Sequence, residues 1–142
     1  MEKNKRMLDV SASEFRRSRN RQEQQAKSVT DNNTKRMLLF YAVECGGKYE
    51  LMIREGCHLF SHLPEKYKKY KHDINAILKE IGITKCEFPS VYSVYDEQIN
   101  AGQYQEMWRY GINCQEADEK GKIIEQNLLE ALSLLHDMDR RK

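Results

Sequence analysis

The side chains able to carry a reaction are few in this chain of 142 residues. It has four histidines, His58, His62, His72 and His136, and four cysteines, Cys45, Cys57, Cys86 and Cys114. Arg54 precedes His58 with three residues between, the one tight Arg-then-His pair. In metal-independent RNA cleavage a histidine moves the proton and an arginine stabilises charge on the phosphate. Arg54 and His58 are therefore the candidate catalytic pair, set against the plainer reading of a polar helix end beside Gly56. His58 and His62 have the i,i+4 spacing that puts two imidazoles on one helical face, with Cys57 beside them. A zinc site needs three or four ligands. Cys86 and Cys114 would have to arrive through the tertiary fold, no CxxC pair occurs, and neither a metal nor a cofactor is expected. Gly46-Gly47 lies inside a helical pattern rather than a strand-to-helix turn, so it is no phosphate cradle. No serine sits in a nucleophile elbow.

Net charge is only +2, so its distribution says more than its sum. Residues 1–36 hold ten Lys/Arg against five Asp/Glu. Arg16, Arg17, Arg19 and Arg21, with Lys66, Lys68, Lys69 and Lys71 further on, are candidate nucleic-acid contacts, because clustered cations meet phosphates. The bland alternative is a pair of solvated helix faces. Glu44 is an acid inside the most apolar segment, and a buried carboxylate needs a partner. Arg109 or Lys48 is expected to supply it, with Glu44 and Arg109 as the structural pair. Trp108-Arg109-Tyr110 sets a large aromatic, a planar cation and a phenol together. Core packing is one use of such a trio; an interface or base-stacking anchor is the other.

The elements that must position these residues read as helices. Only Pro64 and Pro89 interrupt the chain as prolines. The first helix spans Ser11 to about Ser28; Ser11 and Glu14 have capping-box spacing. It is so polar that it buries little by itself. Asn33 or Thr34 caps a second helix running from Lys35 to about Glu55. Met37-Leu38-Leu39-Phe40-Tyr41-Ala42-Val43 is apolar on every side, which marks the central buried element. A buried strand is the rival reading of that run. Gly46-Gly47 costs about 1 kcal/mol per glycine in a helix and offers another helix a close approach. Gly56 stops the second helix. Lys68 to Ile81 reads as a third helix ended by Gly82. Phe88-Pro89-Ser90 breaks any helix, and Val91–Tyr95 has strand propensity without an evident partner, so this least regular part, residues 83–100, reads as a loop or as one turn packed on the helices. Ala101 to Arg109 forms a further helix. The last runs from Glu116 to His136, with Ile123, Ile124, Leu128, Ala131, Leu132 and Leu135 at helical spacing. The expected fold class is all-α, a compact bundle of four to five helices with a basic N-terminal helix. Residues 1–10 are expected as a flexible N-terminal segment and residues 11–142 as a single helical domain.

Three pieces carry a family resemblance. Lys35–Lys48, with its Tyr41-Ala42-Val43-Glu44-Cys45-Gly46 core, resembles the long second helix of bacterial HEPN-type helical proteins. His72-Asp73-Ile74-Asn75-Ala76-Ile77-Leu78-Lys79 is similar to a following helix with a His-Asp-Leu start. Trp108-Arg109-Tyr110-Gly111 resembles a third recurring piece. Order and spacing fit from about residue 35 to residue 111. The resemblance implies an α-helical bundle, often dimeric, of toxin–antitoxin and antiviral defence cassettes. Many members cleave RNA without metal, using an arginine, four to six residues, then a histidine. Arg54 and His58 stand one residue too close for that spacing, so the motif is degenerate.

The expectation is a non-catalytic HEPN-like subunit of a prokaryotic antiviral defence system. Its partners would be a protein of the cassette, itself as a homo-oligomer, or RNA. The alternatives are a toxin-like ribonuclease using Arg54 and His58, and a purely structural adaptor in a larger assembly. No run approaches the roughly 18 apolar residues of a membrane span. The charged start Met1–Arg6 leads into no long apolar stretch, so a cytoplasmic protein is expected.

Overall fold

The computed structural model describes residues 8–142, and these form an all-α bundle. Its helices are α1 (Ala12–Ala26), α2 (Asn32–Glu55), α3 (Glu65–Lys68), α4 (Ile74–Glu80), α5 (Tyr104–Tyr110) and α6 (Ala117–Arg140). A small antiparallel pair, β1 (Val91–Tyr92) and β2 (Gln98–Ile99), lies between α4 and α5. The expected flexible segment 1–10 falls outside the described residues up to residue 7. Asp9 and Val10 are tied down: the Phe60 amide donates to the Val10 carbonyl at 2.8 Å, and the Ser61 hydroxyl donates to Asp9 at 2.6 Å.

The Met37–Val43 run forms the middle of α2, and Phe40, Ala42 and Val43 are 0% exposed. Phe40 sits edge-on to Trp108 and to Tyr104, with ring centroids 6.2 and 6.3 Å apart. This aromatic packing fixes α5 across α2. Leu128, Ala131 and Leu135 of α6 close the other side at 0% exposure. Ile123, expected on the same stripe, is 49% exposed. Its neighbour Ile124 takes the core position, since one step along a helix turns a side chain by about 100°.

Several boundaries differ from the sequence reading for local reasons. Asp31, not Asn33 or Thr34, caps α2; its carboxylate accepts from the Thr34 amide at 2.8 Å and the Thr34 hydroxyl at 2.7 Å. The helix read over 68–81 is split. A turn follows α3, Lys71 takes the left-handed conformation at φ 51, and Asp73 starts α4 by accepting from the Ala76 amide at 3.2 Å. Gly56 adopts the left-handed conformation at φ 71 and stops α2 as expected. The segment read as a loop contains the β1–β2 pair.

The polar α1 is docked along α2. Arg19, in its middle, is 1% exposed. A Cβ on Gly46 would stand 2.9 Å from Arg19 Cδ and 3.0 Å from Leu135 Cδ1, so that glycine makes room for the arginine stem. Gly47 does the same for α4: a Cβ there would stand 2.5 Å from Ile77 Cγ2. The glycine pair thus lets α1 and α4 both approach α2.

Candidate functional site

Two features of the molecule concentrate chemistry. The first is on α2, three residues after Tyr41. Glu44 is 7% exposed. Its Oε2 accepts a hydrogen bond from Lys48 Nζ at 2.6 Å and lies 3.0 Å from His72 Nδ1. The second carboxylate oxygen, Oε1, is buried without a partner among the described residues. A carboxylate only accepts, so Nδ1 carries the proton and the neutral ring has its lone pair on Nε2. The His72 side chain is 49% exposed. It is delivered by the turn at Lys71, whose left-handed backbone is uncommon for a residue with a long side chain. Three costly features therefore meet here: a buried acid, an unpaired buried oxygen and a strained turn. Such features persist where the surrounding structure holds them for a use. Two clefts lie elsewhere. One of about 150 Å³ lies where α5 ends and α6 begins, and one of about 500 Å³ runs along α4; neither is lined by Glu44, Lys48 or His72.

Glu44 and Arg109 do not form the expected pair. Arg109 sits on α5 and donates from Nη2 to the Tyr41 hydroxyl at 3.0 Å, one helical turn away from Glu44 along α2. Its guanidinium also lies 5.8 Å from the Tyr110 ring. Lys48, at i+4 on the same helix, is the cation on Glu44, and His72 is the partner that sequence reading missed. The pattern His72-Asp73 was visible, but its proximity to Glu44 depends on the turn at Lys71, which no local signal announces.

Arg54 and His58 are not assembled into a catalytic pair. Arg54 donates to the Glu80 carbonyl, to the Glu80 carboxylate at 3.0 Å and to the Tyr67 hydroxyl at 3.4 Å. Burial alone would lower its pKa, and the hydrogen bonds to Glu80 and Tyr67 outweigh it and raise the value. His58 follows the Gly56 turn and is exposed. His58 and His62 share no α-helical face, because residues 60–62 form a 3-10 turn. No group of three potential metal ligands occurs among the described residues. All four cysteines are free thiols, and burial pushes those of Cys45, Cys86 and Cys114 up.

The basic residues divide into two sets. Arg19 is enclosed, donating to Asp139 at 3.1 Å and to Asn20, and Arg16 donates to the same Asp139 oxygen at 2.7 Å. These two dock α1 on α6, so Arg19 is closed to a phosphate. Lys68 donates to the Ser61 carbonyl at 2.7 Å, and Lys66 Nζ lies 4.9 Å from the centre of the Tyr67 ring. Arg17, Arg21, Lys66, Lys69 and Lys71 are exposed.

The second feature is an aromatic edge. Residues 92–95 run antiparallel to residues 112–115: the Val94 amide donates to Asn113 at 3.1 Å, the Gln115 amide donates to Tyr92 at 2.8 Å, and Ser93 bridges Cys114. This pairing leaves Tyr95 89%, Tyr110 69%, Val94 53%, Tyr92 46% and Ile112 39% exposed. Trp108, by contrast, is buried at 6%. The charged residues from 92 to 119 are Asp96, Glu97, Glu106, Glu116, Asp118 and Glu119 against Arg109 alone. All six acids are exposed. The run of acids was open to counting in the sequence; that the tyrosines face out was not. The chain matches no family model, no curated protein and no solved structure.

Proposed function

We propose that this chain is a non-catalytic, HEPN-like helical subunit of a prokaryotic antiviral defence system, which works by binding a partner protein through its acidic aromatic edge. One observation carries the binding role: Tyr95, Tyr110 and Val94 are more than half exposed on a segment with six acids and one arginine. Aromatic side chains left in water forgo burial worth about 25 cal/mol per Å² of apolar surface. Large apolar side chains exposed together on one segment are the kind of surface that another molecule covers. Tyrosines are favoured anchors of protein interfaces. The carboxylates of the same segment favour a partner that frames its apolar centre with Lys and Arg.

The family part of the reading is supported by the helical bundle around Met37–Val43 and by the three sequence pieces on α2, at the start of α4 and on α5. The non-catalytic part is supported by Arg54, whose donors are engaged by Glu80 and Tyr67. RNA is the additional ligand for which the exposed Arg17, Arg21, Lys66, Lys69 and Lys71 are suited; such binding would weaken steeply with salt.

Cells carrying the chain with its neighbouring genes are expected to resist phage. Tyr95→Ala/Tyr110→Ala should abolish that protection, and His58→Ala should preserve it. Protection that survives the tyrosine double variant, or that is lost in His58→Ala, would overturn the reading in favour of an unrelated role or a ribonuclease.

A further inference from the structure

We propose that His72 is a phosphoryl acceptor, a surface histidine whose Nε2 takes a phosphoryl group from an activated donor of the acyl phosphate or phosphoramidate class. This goes beyond partner binding and does not depend on it. Four observations on the page converge on that nitrogen. Glu44 Oε2 holds Nδ1 at 3.0 Å, which fixes the tautomer with the lone pair on Nε2. The ring is 49% exposed, and no side chain among the described residues engages Nε2. Lys48 shares the Glu44 oxygen at 2.6 Å, and Lys69 and Lys71 are exposed in the turn that presents the ring. Neither of the two clefts described above is lined by His72, and the half-exposed ring is open to a donor carried by another molecule.

The step balances without a further reactant. The Nε2 lone pair attacks phosphorus and an N–P bond forms. The P–O bond of an acyl phosphate, or the P–N bond of a phosphoramidate, breaks and its electron pair leaves with the donor fragment. The proton stays on Nδ1, so the phosphorylated ring is cationic and faces the Glu44 carboxylate, which stabilises it. Glu44 is a positioning residue in this scheme. The lysines offset the charge on the transferred group.

The other histidines supply internal controls. His136 also meets a carboxylate, but through Nε2, 2.7 Å from Glu23 Oε1, and its ring is 28% exposed. His58 and His62 are exposed without a carboxylate on Nδ1 among the described residues.

The test is incubation of the folded chain with phosphoramidate, with site-resolved mass spectrometry at neutral pH. His72 is expected to label about tenfold faster than His58, His62 or His136, the order of gain from one hydrogen bond to a charged group. The preference should vanish in urea, and His72→Asn should remove that label alone. Glu44→Gln, taken only where circular dichroism matches the parent, should slow labelling of His72 by about tenfold and leave His58 unchanged. Equal labelling of all exposed histidines, or an unaltered His72 rate in folded Glu44→Gln, would overturn the proposal.

Discussion

Glu44 is 7% exposed on the helix that carries Phe40, Ala42 and Val43 into the core. Its desolvation is offset by Lys48 and His72 on one oxygen and left uncompensated on the other. Removing it would strand the Lys48 ammonium, whose side chain is 14% exposed. Glu44→Ala is therefore expected to destabilise the fold by about 1–3 kcal/mol, the range for a buried polar group that loses its partner. Urea denaturation reads this directly, and an unchanged midpoint would show that the pairing does nothing for stability. Sequence alone pointed to Glu44 as an acid in need of a partner and to Lys48 as one of two candidates. Arg109 was the other candidate, expected with Glu44 as the structural pair. The Tyr41 hydroxyl, one turn earlier on α2, takes that guanidinium instead.

At the scale of elements, α1 shows how a helix with almost no apolar surface is held. Arg19 and Arg16 converge on Asp139 of α6, and His136 of α6 meets Glu23 of α1. Burial alone would raise the Asp139 pKa; hydrogen bonds from Arg16 and Arg19 outweigh it and hold the carboxyl below its ordinary 3.8. A depressed folded pKa contributes stability above the unfolded value, and that contribution is lost as pH falls through the folded value. Asp139→Asn is expected to cost about 1–3 kcal/mol at neutral pH. It should also flatten the loss of stability below about pH 4, since the group that titrates there is gone. Thermal melts across acid pH would show this, and parallel curves for parent and variant would contradict it. The existence of α1, α2 and α6 was legible from capping and periodicity. The docking of α1 was not, because it depends on one arginine passing over Gly46. The split between α3 and α4 was hidden for a similar reason: Asp73 acts as a cap only because Lys71 turns the chain.

Among the described residues, the exposed tyrosines of the edge fall in an acidic stretch of the sequence. The cations of α1 and of the α3 turn lie apart in sequence from the stretch 92–119, which holds six acids together with the exposed tyrosines. The helical fold class was readable from breaker-free stretches and an apolar run. The aromatic edge was not readable, because its exposure follows from residues 92–95 pairing with residues 112–115 rather than with the core. No helix among the described residues is long and apolar enough to cross a membrane. The most direct measurement is the affinity of the protein encoded beside this chain for the purified parent and for Tyr95→Ala/Tyr110→Ala, both checked for equal thermal stability. The edge predicts a complex that the double variant weakens by more than about tenfold, the loss of two aromatic anchors at about 1 kcal/mol or more each. Equal affinity for parent and variant, or tyrosine-dependent association of the chain only with itself, would contradict it.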